Sequence, residues 1–126
     1  MRGERAELSK KNPYYISKHR YYELKHFCRQ YDGWKAFPES TGAIVNATPS
    51  NPTEQMAMAR AFYSSRVDLL EHCLGELEPA IAPYILRGVT EGHSYEALRI
   101  KGCPCCKDTY YNNYRKFFWI LSRERA

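Results

Sequence analysis

Hydrophobic positions recur along this chain at helical spacing and nowhere alternate in the two-residue rhythm of a half-buried strand. The clearest stripe lies near the C-terminus, where Tyr110, Tyr114, Phe117 and Leu121 repeat every three or four residues and Tyr111 and Phe118 widen it. A helix is expected there, beginning near Cys106. Ahead of it Tyr95, Leu98 and Ile100 supply the apolar side of a short helix that Ser94 caps, while Glu96, Arg99 and Lys101 are polar. Gly102-Cys103-Pro104-Cys105 separates the two. Gly102 accepts the left-handed conformation that ends a helix, and Pro104 disfavours an α conformation at Cys103.

Three further helices are expected upstream. From Ser17 the positions Tyr21, Leu24, Cys28 and Tyr31 form a buried stripe, with Phe27 and Trp34 beside it. Asn51-Pro52-Thr53-Glu54 combines a capping residue, a proline suited to the first helical position and a carboxylate that reaches back. It opens a long helix to about Leu74. In that helix Met56, Tyr63 and Leu70 continue to Leu77 at seven-residue intervals, with Ala59, Val67 and Leu74 alongside. Heptad spacing admits a homodimeric coiled-coil seam, although a core helix inside one domain is the simpler explanation. Gly75 and Pro79 then break the chain before a helix expected over 78–87 and ended by Gly88, with Ile81, Tyr84 and Ile85 inward.

The fold class expected is therefore all-α, a helical domain with a C-terminal helix-turn-helix. Its divisions are a basic arm and helix over 1–37, a linker over 38–51, and a helical domain over 52–126 whose 78–125 part carries the helix-turn-helix. The linker assignment rests on two prolines, a glycine and several small polar residues that break any helical pattern. Residues 1–12 are polar and charged, and are expected to order only against a polyanion.

Charge sharpens this picture. Of a net charge of +5, residues 1–35 carry +5, residues 36–93 carry −4 and residues 94–126 carry +4. Two basic ends around an acidic middle suit phosphate-facing surfaces, where release of counterions drives binding to double-stranded DNA. On the last helix Lys107, Thr109, Asn112 and Asn113 lie away from the aromatic stripe and are expected to approach base edges, with Arg115 and Lys116 nearer the backbone. On the first helix Lys18, Arg20 and Lys25 are expected to hold phosphates without reading sequence.

Other chemistry is weaker. The thiols of Cys103, Cys105 and Cys106 are zinc-ligand types, but the remaining candidates, Cys28, Cys73, His72 and His93, stand singly, so the turn is read as structural and no cofactor or metal is expected. Glu71, Glu76 and Glu78 form an acidic cluster read as a solvated face. No nucleotide-binding glycine loop, metalloprotease helix or serine elbow is present, and no enzymatic activity is expected. Five cysteines, the lack of a membrane-spanning apolar run and a charged N-terminus without an apolar core lead to an intracellular expectation with no membrane partner.

The segments Leu86-Arg-Gly-Val-Thr-Glu-Gly-His-Ser-Tyr-Glu-Ala-Leu and Lys107-Asp-Thr-Tyr-Tyr-Asn-Asn-Tyr-Arg-Lys-Phe-Phe-Trp-Ile-Leu resemble region 4 of bacterial sigma factors. More closely, they resemble small phage-encoded transcriptional regulators of Gram-positive hosts, of the ArpU and RinA kind. Asn51-Pro-Thr-Glu and Tyr14-Tyr-Ile-Ser-Lys-His-Arg-Tyr-Tyr-Glu-Leu-Lys look similar to the same group. The resemblance implies a regulator in the host bacterial cytoplasm that binds promoter DNA through the second helix of the motif and activates late phage genes, in some members by contacting host RNA polymerase. The Cys-Pro-Cys-Cys turn departs from the usual polar turn of that motif. A small terminase subunit recognising phage DNA for packaging, or a protein-binding adaptor without DNA affinity, are the competing classes.

Overall fold

The computed structural model describes residues 12–37 and 52–125. The expectations for the N-terminal arm, the 38–51 linker and the Asn51 cap lie outside the described residues. The described chain is all-α: α1 (Lys18–Cys28), α2 (Tyr31–Ala36), α3 (Pro52–Leu74), α4 (Ala82–Glu91), α5 (Tyr95–Ile100) and α6 (Lys107–Glu124). No strand occurs among these residues. None of these helices is long and apolar enough to cross a membrane.

Helix α6 is the axis of the fold, packed against α1, α3 and α4. All six residues of its expected stripe are buried, with Phe117 and Leu121 fully enclosed. Leu24 of α1, Leu70 and Cys73 of α3, Ile85 and Val89 of α4 and Leu98 of α5 close around them. Each such Leu or Phe withdrawn from water contributes about 1.5–3 kcal/mol, enough to hold helices as short as α5 in place. Aromatic rings make the α1–α6 seam. Tyr21 meets Phe118 edge-on at 5.1 Å, and its hydroxyl shares a 3.0 Å hydrogen bond with that of Tyr114.

The first helix differs from its expected form. Rather than running on past Tyr31, the chain tightens at Gln30, whose N–H bonds to the Phe27 carbonyl at 3.2 Å, and restarts as α2. The redirection keeps the stripe buried where a straight helix would carry it out of line, and it sets Trp34 4.8 Å from Phe27. The helix placed over 78–87 is also displaced, to Ala82–Glu91. Pro83 explains the start, because a residue without an N–H fits the first turn of a helix. Gly88 does not end α4. It lies inside the helix, where a Cβ would collide with the Tyr110 hydroxyl. The terminator is Gly92, left-handed at φ 79°, whose N–H bonds back to the Gly88 carbonyl.

Only part of α3 belongs to the core. Leu70 and Leu74, with Leu77 beyond the helix end, are buried, while Tyr63 and Val67 are half-covered. Toward the N-terminal end Met58 and Phe62 face solvent. Its C-terminal part is tied down by polar contacts as well, since the Tyr31 hydroxyl donates to Glu71 at 2.9 Å and Lys35 stands 3.5 Å from the same carboxylate. That proton, held between burial and the carboxylate, keeps the Tyr31 phenol above its ordinary range.

Candidate nucleic-acid interface

Helix α5, a six-residue turn and α6 follow one another in the expected order. Ser94 caps α5 by accepting the Ala97 N–H at 3.2 Å. Tyr95 and Leu98 are buried, but Ile100, expected to pack with them, is 86% exposed. It falls in the last turn of a helix too short to bury more than one side. Gly102 turns the chain at φ 113°, and the Cys103 N–H closes back onto the Leu98 carbonyl at 3.0 Å. Cys103 is buried beneath the turn, and the Tyr95 hydroxyl donates to the Cys105 carbonyl at 2.7 Å. The turn is thus fixed to α5 by these bonds, together with those of the Lys101 and Gly102 N–H groups to the Leu98 and Arg99 carbonyls, and to the core by the Cys103 side chain.

Cys106 is the N-cap of α6. Its thiol lies 3.3 Å from the Thr109 hydroxyl, and that hydroxyl, with the backbone N–H groups of the first turn, holds it below the ordinary thiol range. Unpaired N–H groups at a helix start favour an anionic group there. Cys105 behaves oppositely. Burial and the neighbouring Cys103 thiol, 3.7 Å away, push it up to about 11. Among the described residues no group of three or more His, Cys, Asp or Glu side chains is gathered in a metal-holding arrangement.

The expected reading residues do not form one face. At about 100° per residue, Thr109, Asn112 and Lys116 fall within about 60° of one another, opposite the buried stripe. Thr109 and Asn112 are exposed and Lys116 is half-covered. Asn113 sits at the margin of this face, half-buried, its side-chain amide donating to the Thr109 carbonyl at 3.0 Å. Lys107 falls on the side of Tyr111, and its ammonium lies 3.4 Å from the Glu96 carboxylate of α5. Both groups are well exposed, so this bridge contributes little. Arg115 is half-buried on the flank.

The cations of α1 are separated by the antiparallel course of α1 and α6. Arg20 is built into the fold: its Nε donates to the Ser122 hydroxyl at 3.1 Å, one terminal nitrogen donates to the Ser122 carbonyl at 3.1 Å, and the other pairs with Glu23 at 2.9 Å. It therefore caps the C-terminal end of α6, where a cation opposes the helix dipole. From Lys107 to Ser122 the helix axis runs roughly 22 Å, so Arg20 stands far from the reading end. Lys18 is exposed at the start of α1. Lys25 lies nearer the reading end, its ammonium 5.8 and 5.6 Å from the rings of Tyr21 and Tyr22.

Two residues absent from the expected set stand beside Lys25. Arg29, one turn further along α1, lays its guanidinium against Gly92, and His93 follows in the α4–α5 connection. The spacing of Lys25 and Arg29 was the signal available for the first. His93 entered the sequence reading only as a zinc-ligand type standing singly, because its position beside α1 depends on how α4 meets α6. No family model matches the chain, and no curated protein or solved structure is significantly similar to it.

Proposed function

We propose that the chain is a DNA-binding transcriptional regulator whose α6 enters the major groove. The observation carrying this reading is the polar face of α6 formed by Thr109 and Asn112, both exposed, and the half-covered Lys116, on a helix whose other side is fixed in the core. A rigid helix with hydroxyl, amide and ammonium groups at adjacent turns has the donors and acceptors that base edges and phosphates require. Asn113 and Lys107, engaged with Thr109 and Glu96, contribute less to the reading than Asn112. Promoter binding, late-gene activation, RNA polymerase contact and a place in a phage-bearing bacterial host follow from the resemblance to the phage regulators and belong to the same proposal.

The experiment is a selection of bound duplexes from random sequence, repeated with Asn112→Ala. Enrichment of one site by the parent chain and its loss in the variant supports the reading. Equal binding of all duplexes by both chains sinks it. A second reading, a protein-binding adaptor, is favoured by one observation: Met58 is 65% and Phe62 50% exposed on α3. That reading requires the same fold with no DNA affinity even at low salt.

A further inference from the structure

The turn between α5 and α6 gathers three thiols at three depths: Cys103 is buried, Cys105 half-buried and Cys106 exposed. The first two form a pair, their sulfurs 3.7 Å apart. Cys106 stands outside it, with its thiol 3.3 Å from the Thr109 hydroxyl. The backbone of the pair is held at both ends. The Cys103 N–H bonds to the Leu98 carbonyl at 3.0 Å and the Tyr95 hydroxyl donates to the Cys105 carbonyl at 2.7 Å, while the ring of Pro104 fixes φ between them. Cα atoms two residues apart lie about 5–7 Å from each other, within the span a disulfide bridges, and bonding these sulfurs closes a gap of less than about 2 Å. Cys105 also lines a surface cavity of about 190 Å³ together with Arg99, Pro104 and Cys106. The pair therefore has one open member and one enclosed member.

We propose that Cys103 and Cys105 are a reversible oxidation site, a dithiol that a low-molecular-weight disulfide converts to an internal disulfide. The open thiol reacts first. Cys105 gives up its proton and its sulfur bonds one sulfur of the small disulfide, whose S–S bond breaks, and the other half leaves as a free thiol with that proton. Cys103 then attacks the Cys105 sulfur and expels the second half, which leaves as a thiol with the Cys103 proton. The protein loses two hydrogens and the small disulfide gains them. Enclosure does not hinder Cys103, because its target is already beside it. Burial and the Cys103 thiol push Cys105 up to about 11, so the pair rests as neutral thiols until an oxidant arrives. In a reducing compartment such a disulfide is transient, which is how a redox-sensing pair behaves. Nothing in the pair depends on whether α6 reads DNA.

The test incubates the full chain in buffers of reduced and oxidised glutathione at several ratios, traps the free thiols with N-ethylmaleimide in denaturant and maps the tryptic peptides by mass. In the oxidising buffers the 102–107 peptide should be two hydrogens lighter and carry one maleimide, placed on Cys106 by fragmentation. The linked fraction should fall as reduced glutathione rises, and Cys28 and Cys73 should be trapped as free thiols throughout. Cys106→Ser should keep the link. Cys105→Ser should abolish it and leave Cys103 free, because the enclosed sulfur meets no oxidant, whereas Cys103→Ala should collect a glutathione adduct on Cys105 several-fold above the level in the parent. The site is overturned if Cys103 and Cys105 both take maleimide at every ratio, or if the link joins Cys106 instead. Should Cys103→Ala fail to fold, the maps of the parent and of Cys106→Ser decide alone: a link between Cys103 and Cys105 in both upholds the site, and its absence from either overturns it.

Discussion

Helices α1 and α6 are written in the same pattern, an aromatic stripe on one side and cations on the other, yet their polar sides do different work. In α6 Thr109 and Asn112 open to solvent, with Lys116 half-covered beside them. In α1 the pattern is drawn into the molecule: Arg20 caps the far end of α6, Lys25 rests near two tyrosine rings, and Arg29 lies against Gly92. The difference is one of neighbours. The antiparallel α6 offers Arg20 its C-terminal carbonyls, the rings of Tyr21 and Tyr22 within α1 itself offer a face to Lys25, and both kinds of group attract cations. On the outer side of α6 the cation met by a ring is Arg123, 4.7 Å from Trp119 of the same helix and well past Thr109 and Asn112. A basic amphipathic helix is therefore no evidence of a free basic surface until what lies beside it is known.

The largest effect should come from the side the two helices share. Phe117→Ala removes a fully buried ring from the α6 stripe and should cost about 3–5 kcal/mol, read from denaturant unfolding. Thr109→Ala or Asn112→Ala on the opposite face should change stability by no more than about 0.5 kcal/mol. Comparable losses on both faces would mean that the outer face of α6 is covered after all.

Arg20→Ala breaks the comparison from the other helix. If Arg20 is a clamp, its loss should cost about 1–3 kcal/mol, since hydrogen bonds from a charged donor to the end of α6 disappear. Glu23→Ala, which removes only the exposed partner, should cost far less. Equal stability of Arg20→Ala and the parent would return Arg20 to the set of available phosphate contacts.

The cysteines of the two helices sharpen it further. Cys28, in α1, is fully buried, and desolvation together with Cys73 pushes its thiol far up. Cys106, at the start of α6, is exposed and held below the ordinary range by Thr109 and the first-turn N–H groups. Its lowered value means that the thiolate adds stability above the unfolded thiol's pKa, and that this increment is lost as pH falls through the folded value. Iodoacetamide should accordingly label Cys106 first, with a pH midpoint below that of Cys105, and Thr109→Val should raise that midpoint. Labelling of Cys106 along the curve of an unperturbed thiol would remove the helix start as its cause.

The sequence pattern made the all-α class, the span of α3, the cap Ser94 and the start of α6 legible, because each depends on residues within one or two turns. It misplaced what depends on distant partners. Gly88 looked like a terminator because glycine commonly ends helices, but its lack of a side chain serves the approach of Tyr110, 22 positions away. Ile100 counted as apolar surface although α5 is too short to bury it. The polar residues of α6 were legible as a group, and only the structure separates Asn112, open to solvent, from Asn113, bonded to its own helix.

The smallest effect expected concerns the exposed cations, and it decides whether α1 keeps any share in DNA binding. Lys18 is exposed at the start of α1. If it meets a phosphate, Lys18→Ala should weaken binding to all duplexes alike and lower the slope of log affinity against log salt by about 0.9. Lys116→Ala should do the same from α6. Neither should alter which sequence is preferred, because a phosphate contact carries no base information. Asn112→Ala should do the reverse, losing on the order of 1–3 kcal/mol of discrimination while leaving the slope unchanged. A slope lowered by Lys116→Ala and untouched by Lys18→Ala would confine the interface to α6 and leave α1 as its scaffold. Slopes lowered by both would make α1 a second backbone contact, and no change from either would remove both lysines from the interface.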